Sequence, residues 1–231
     1  MNKVLAVSGT ELLTLDDSFE TLVLPPDDLL ATPVCRHADM IFTVFDNKVF
    51  FHSSYCEANR PIIQRIAEHG ALAICATTEV RNSQYPYDVS LNTLSIGDKL
   101  ICRKESVSSS LKGYPIINTN QGYAGCTALY AANTVITADE STISACKKNN
   151  IPIYRISGKD ILLHGYNTGF IGGACGVYED TVFIYGDPSL SQSGRELAEF
   201  CKMRGLSLIS LYDGPVTDIG GIKFIKGKDN I

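Results

Sequence analysis

One phrase recurs five times along the chain: a small polar turn followed by an apolar run. It stands at Asn2-Lys3-Val4, Asn47-Lys48-Val49, Asp98-Lys99-Leu100, Asn133-Thr134-Val135 and Asp180-Thr181-Val182. Asn and Asp tolerate the left-handed backbone of tight turns, so each copy reads as the second strand of a hairpin. The leading apolar residues are 45, 51, 35 and 47 positions apart. Self-similarity on that scale points to an array of like supersecondary units.

The context of each copy recurs too. An entering strand is expected over residues 37–45, 88–96, 122–132 and 169–179. The last two copies align without a gap from Thr119/Tyr166 through Thr137/Ile184, with Asn120/Asn167, Gly122/Gly169, Gly125/Gly172 and Thr134/Thr181 matching in place. After the hairpins come helix-sized stretches. Glu57–His69 carries Ile62, Ile63, Ile66 and Ala67 at helical spacing before Gly70. Ser141–Asn150 is shorter. Gln192–Arg204 carries Leu197, Ala198, Phe200 and Cys201 before Gly205. Ser106–Gly113 is Ser-rich and has room for a turn or two. A closing strand follows each, at 71–75, 116–117, 151–156 and 206–211. The unit is strand, strand, helix, strand.

The two ends complement one another. Residues 219–225 read as a fifth entering strand with nothing after it to complete the unit. The N-terminus supplies the missing parts: a strand over 3–7, a possible helix over 11–19 and a strand over 21–24. The predicted fold is α/β, a five-bladed propeller of pseudo-five-fold units in one domain over 1–231, with the N-terminus completing the last blade. Such closure removes free sheet edges. The rival readings are chance likeness of short apolar runs, and two α+β domains divided near residue 114.

The chain has 231 residues, a net charge of −5 and 45% hydrophobic residues. That length can bury a sizeable core. The acidic balance argues against a nucleic-acid partner, which calls for a basic face. No apolar run approaches the roughly 20 residues of a membrane span, and the N-terminus lacks the pattern of a secretory signal. The eight cysteines form no CxxC pair, so neither a metal site nor disulfides are expected, and a cytoplasmic protein with core thiols is. GFIGGACG lacks the GxGxxG spacing, and no P-loop, GxSxG or HExxH occurs, so no cofactor is expected.

Two segments carry a resemblance. ADMIFTVFDNKVFF, residues 38–51, is similar to the first-blade segment of dimethylarginine and arginine hydrolases. DIGGIKFIKG, residues 218–227, is similar to the last-blade Gly-Gly segment of agmatine deiminases. With the five units, the chain resembles the pentein fold of guanidino-group-modifying enzymes. The combination most resembles a branch with a Gly-Phe-Ile-Gly-Gly motif and no assigned chemistry. The resemblance implies a last-blade Cys nucleophile, a His acid–base and carboxylates that hold the cation. In the deiminase register the nucleophile position falls on Phe224, and the fourth-blade His-x-Asp falls on Phe170-Ile171-Gly172. The standard reaction is therefore not expected.

The same register puts His37, Asp88, Tyr123, Phe170 and Asp218 in one column where the first strands meet, and Asp39, Ser90, Gly125, Gly172 and Gly220 two residues on. Asp39, Asp88, Asn120, Asn167 and Asp218 are the expected contacts of a small polar or cationic ligand. The glycines either bring backbone N–H groups to that ligand or relieve crowding. Candidates for catalysis are Cys126 and Cys175 as thiols and His37 and His164 as bases. His37-x-Asp39 could orient an imidazole, whereas His52 and His69 read as structural. Three functions follow: a binder without the standard Cys–His set, a hydrolase or amidinotransferase with a relocated thiol, or a non-catalytic interaction module.

Overall fold

A computed structural model of the chain describes residues 3–12, 14–70 and 73–227. The Asn2 of the first phrase and the expected strand start at Ala71 lie outside the described residues. Among the described residues, fifteen strands form five three-stranded sheets. The strands are β1 (Val4–Ser8), β2 (Phe19–Val23), β3 (Phe42–Phe45), β4 (Lys48–His52), β5 (Ala73–Thr77), β6 (Leu94–Ile96), β7 (Lys99–Cys102), β8 (Ile116–Asn118), β9 (Ala128–Ala131), β10 (Thr134–Thr137), β11 (Ile153–Arg155), β12 (Cys175–Tyr178), β13 (Thr181–Ile184), β14 (Ser207–Ser210) and β15 (Lys223–Ile225). The sheets run β3-β4-β5, β6-β7-β8, β9-β10-β11, β12-β13-β14 and β15-β1-β2.

Each sheet has one plan. Its first two strands pair antiparallel and its third is parallel to the middle one. The last sheet is assembled from both ends of the chain: Leu5 pairs with Ile225, Ala6 with Phe224 and Val7 with Lys223. The N-terminal phrase is thus the middle strand of the fifth unit, as its likeness to the second phrase suggested. First-strand residues of all five sheets, among them Val44, Ser95, Leu129, Cys175 and Phe224, line one cavity of about 200 Å³.

The crossovers vary. α1 (Ala38–Ile41) is a single turn leading into β3. α2 (Ser53–Ala58) and α3 (Arg60–Gly70) follow β4, where one helix was expected. The break falls at Asn59, whose C=O accepts from Ile62 and Ile63 while its own N–H donates to Tyr55, and Pro61 favours a fresh helical start. α4 (Ala124–Thr127) is another entry turn, α5 is Glu140–Lys148 and α6 is Gln192–Arg204. Ser106–Gly113 holds only a 3₁₀ turn at Ser109–Leu111. Among the described residues of 11–19, the expected helix is not formed. There Asp16 accepts from the Ser18 backbone and hydroxyl, a local turn that competes with a helix.

The entering strands are shorter than expected, because helical turns replace their first halves. Residues 38–41 and 124–127 form α1 and α4, and 171–174 a turn. These turns crowd the backbones of neighbouring sheets. A Cβ on Gly172 would strike the carbonyl oxygens of Ala128, Gly125 and Cys126. The small residues of this row therefore relieve crowding. Leu5, Val7 and Ile225 of the last sheet pack with Phe42, Phe51, Tyr55 and Ile66 in one core cluster.

Candidate functional site

All five residues of the first column, His37, Asp88, Tyr123, Phe170 and Asp218, line one cavity of about 170 Å³, together with Cys126. Each stands just before the first strand of its own sheet, so five units deliver five side chains to one place. Tyr166, half exposed, stands on the wall, with Met40, Leu163 and Thr168. A dry cavity of about 150 Å³ holds a benzene-sized group, so this one suits about six to eight heavy atoms.

Two of the polar groups are carboxylic acids, Asp88 and Asp218. Asp218 is buried; its Oδ2 accepts the Phe170 N–H at 2.9 Å and its Oδ1 the Gly220 N–H at 3.0 Å. Burial and the neighbouring Asp39 push its carboxyl up to about 7. Asp88 accepts the Tyr123 hydroxyl at 2.7 Å through one oxygen, and its other oxygen is buried without a partner among the described residues. Burial holds Asp88 above the ordinary carboxylate range, against the Tyr123 bond and nearby Arg81. Asp39 is buried and outside the lining of this cavity, and neither of its carboxylate oxygens has a hydrogen-bond partner among the described residues.

His37 Nδ1 lies 3.7 Å from Asp218 Oδ1. The acid that meets the imidazole is thus Asp218 from the far end of the chain, and not Asp39 two residues on. Burial lowers the His37 pKa, with Asp39 opposing. Cys126 is held by Asn92, whose Nδ2 donates to Cys126 Sγ at 2.9 Å and to Met40 Sδ at 3.2 Å, while its Oδ1 accepts the N–H groups of Gly125 and Cys126. Burial, with Asp39 and Asp218 nearby, raises the Cys126 thiol well above its ordinary value.

Other expected residues lie elsewhere. Cys175 is buried on the five-strand cavity, whose lining holds no histidine among the described residues, and burial raises its thiol. His164 is exposed and lines a separate cavity of about 400 Å³ that shares the His37, Leu163 and Asp218 wall. Asn120 and Asn167 are exposed and outside the lining of the 170 Å³ cavity. The Asn120 N–H instead donates to Ser141 Oγ. Phe224 packs against Phe19, Tyr178 and Phe183. His52 bonds Ser54 and the Glu79 carbonyl, and His69 approaches Glu20. Sequence reasoning missed Asn92 and the buried Arg81–Asp27 ion pair at 2.7 Å. An Asn inside the apolar LNTLSI run was a usable sign of the first. Nothing local marks the second, whose partners are 54 residues apart.

The fold is that of pentein-fold enzymes. The chain is similar to DDAH from Pseudomonas aeruginosa complexed with citrulline, at 11% identity and TM-score 0.55, covering 96% of each chain. It is similar to an amidinotransferase from Microseira wollei, at 11% identity and TM-score 0.56, covering 92% of this chain and 76% of that one. It is also similar to C. jejuni agmatine deiminase, at 10% identity and TM-score 0.53, covering 97% and 82%. A search of curated proteins gives no match. Residues 10–223 match the Family of unknown function (DUF6873), and the chain belongs to that family. Among the described residues, no helix is long and apolar enough to cross a membrane, no cluster of three or more His, Cys, Asp or Glu could hold a metal ion, and all eight cysteines are free.

Proposed function

We propose that this protein binds a small cationic molecule in the 170 Å³ cavity, without the standard pentein Cys–His chemistry. The observation that carries the reading is the lining: Asp88 and Asp218 face a space walled by Tyr123, Tyr166 and Phe170. The only basic side chain on it among the described residues, His37, is disposed to neutrality by burial. Carboxylates complement an ammonium or guanidinium, and aromatic faces add cation–π attraction. The reading takes the five sheets as blades of a five-bladed propeller in one domain over 1–231, in the branch with the Gly-Phe-Ile-Gly-Gly motif. The shared five-strand cavity and the two-ended last sheet support that arrangement. A cytoplasmic place, with no nucleic acid as partner, belongs to the same reading. Calorimetry with methylguanidinium and propylammonium chlorides tests it. Binding that Asp88→Asn and Asp218→Asn each weaken at least about tenfold supports it. Equal affinity for neutral methylurea sinks it.

One observation favours a second reading, a guanidino hydrolase or amidinotransferase with a relocated thiol. Cys126 and His37 line the same cavity. The thiolate would attack a guanidinium carbon, forming a C–S bond, while His37 passes the thiol proton to the departing amine. The Phe224 position offers no thiol, and Cys175 lines a different cavity. Chloroacetamidine labelling read by peptide mass spectrometry decides. This reading requires Cys126 to be modified faster in the folded chain than in urea.

A further inference from the structure

Asp39 and Asp218 are 2% and 4% exposed and are tied to one glycine. The Gly220 N–H donates to Asp218 Oδ1, and the Gly220 carbonyl accepts from the Asp39 N–H at 2.9 Å. Asp218 has two backbone donors, while the Asp39 oxygens have none among the described residues.

The groups facing this pair come from several elements. His37 precedes α1, Cys126 lies on α4 and Cys175 begins β12. Asp88, bonded to Tyr123, stands on the same cavity wall. None of these supplies a cation near neutral pH. Burial disfavours the imidazolium of His37 and the ionised thiols, and Arg81 is engaged with Asp27. Two buried acids with no cation beside them among the described residues cannot both be ionised cheaply.

We propose that the Asp39–Asp218 pair holds one proton while the cavity is empty and releases it when a cationic group settles beside Asp218, so that the site exchanges a proton for a cation. The charge balances. The empty pair carries one proton and one negative charge; the occupied pair carries two negative charges beside one positive, and the proton goes to the buffer. Asp39 acts here as a positioning residue: it touches no ligand and sets when Asp218 ionises. This rests on the cation-binding reading and adds its regulation. Affinity falls up to tenfold for each pH unit below about 7.

Carbon-13 NMR titration of the aspartate carboxyls tests the pair without any ligand. In the unliganded wild type, one carboxyl titrates near neutrality. In Asp39→Asn, Asp218 returns toward the ordinary carboxylate range. Wild-type aspartates that all titrate in that range overturn the proposal, whether or not the variant folds. Calorimetry with methylguanidinium chloride near pH 7, in two buffers of different ionisation enthalpy, tests the exchange. Proton release in the wild type that is lost in Asp39→Asn supports it. Binding with no proton release overturns the exchange and leaves the cation reading standing. No binding of any probe cation overturns that reading and the exchange together.

Discussion

Gly220 joins Asp218, Asp39 and His37. Its φ is +82°, and a Cβ there would strike the Cα, Cβ and Cγ of His37. Gly220→Ala combines left-handed strain with a clash against a buried ring, at an expected cost on the order of 3 kcal/mol in urea unfolding. Asp39→Asn moves stability the other way at high pH. The raised Asp218 pKa means the folded chain binds that proton more tightly than the unfolded chain. Its stabilising effect is complete below the ordinary carboxylate range and is lost as pH rises through about 7. At about 1.4 kcal/mol per pKa unit, a rise from 3.8 to about 7 amounts to at most about 5 kcal/mol. Asp39→Asn removes part of that loss. It should stabilise the unliganded chain by about 2 kcal/mol at pH 8, with the gain fading by about pH 5. Urea unfolding at the two pH values checks it. The His37, Asp88, Tyr123, Phe170 and Asp218 column was legible because each residue precedes a first strand by nearly the same step. The acid that meets His37 was not, because Asp218 reaches it only through the Gly220 turn.

The elements legible in advance were those with local punctuation. α6 begins at Ser191, whose Oγ accepts the Gly194 N–H, and ends at Gly205 in the left-handed conformation, so its bounds match the expected 192–204. α5 begins likewise at Asp139, which accepts the Thr142 N–H. Ser191→Ala should cost about 1 kcal/mol, and Asp139→Ala slightly more, because Asp139 also accepts from Gln121 Nε2. α1 and α4 were not legible. A single buried turn has too few residues to show a helical period, and its Ala and Gly residues answer to crowding. The hairpin turns were legible through Asn and Asp, yet two carry a misfit, Ala132 and Glu179 at positive φ. Ala132 and Asn133 both have positive φ between β9 and β10, and the Ala132 methyl is crowded there without a polar group to offset it. Ala132→Gly should stabilise by roughly 1 kcal/mol, a rise of about 2–4 °C in Tm for a chain of this size. A thermal melt decides it, and a lower Tm would refute the turn assignment.

At the scale of the whole molecule, the first strand ties the ends together. β1 is the middle strand of its sheet, and all five of its residues are buried. Its alternate side chains serve two cores: Leu5 and Val7 pack with Phe42, Phe51 and Ile66 near the first sheet, and Ala6 packs with Phe183, Leu211 and Ile222 near the fourth. Burying a Val or Leu side chain contributes about 1.5–3 kcal/mol, so Val4, Leu5 and Val7 together approach the roughly 5–15 kcal/mol that holds a typical domain folded. Removing residues 1–8 also strips β2 and β15 of their shared partner. The truncated chain should therefore lose its cooperative melt altogether. In the intact chain, the β1 amides should exchange hydrogen as slowly as those of β10 and β13, through global unfolding alone. Circular dichroism of the truncated chain and hydrogen exchange of the intact one are independent checks. A truncated chain that still melts cooperatively, or β1 amides that exchange as fast as a fraying end, would show the last sheet to be an appendage and would leave the other four to stand without it.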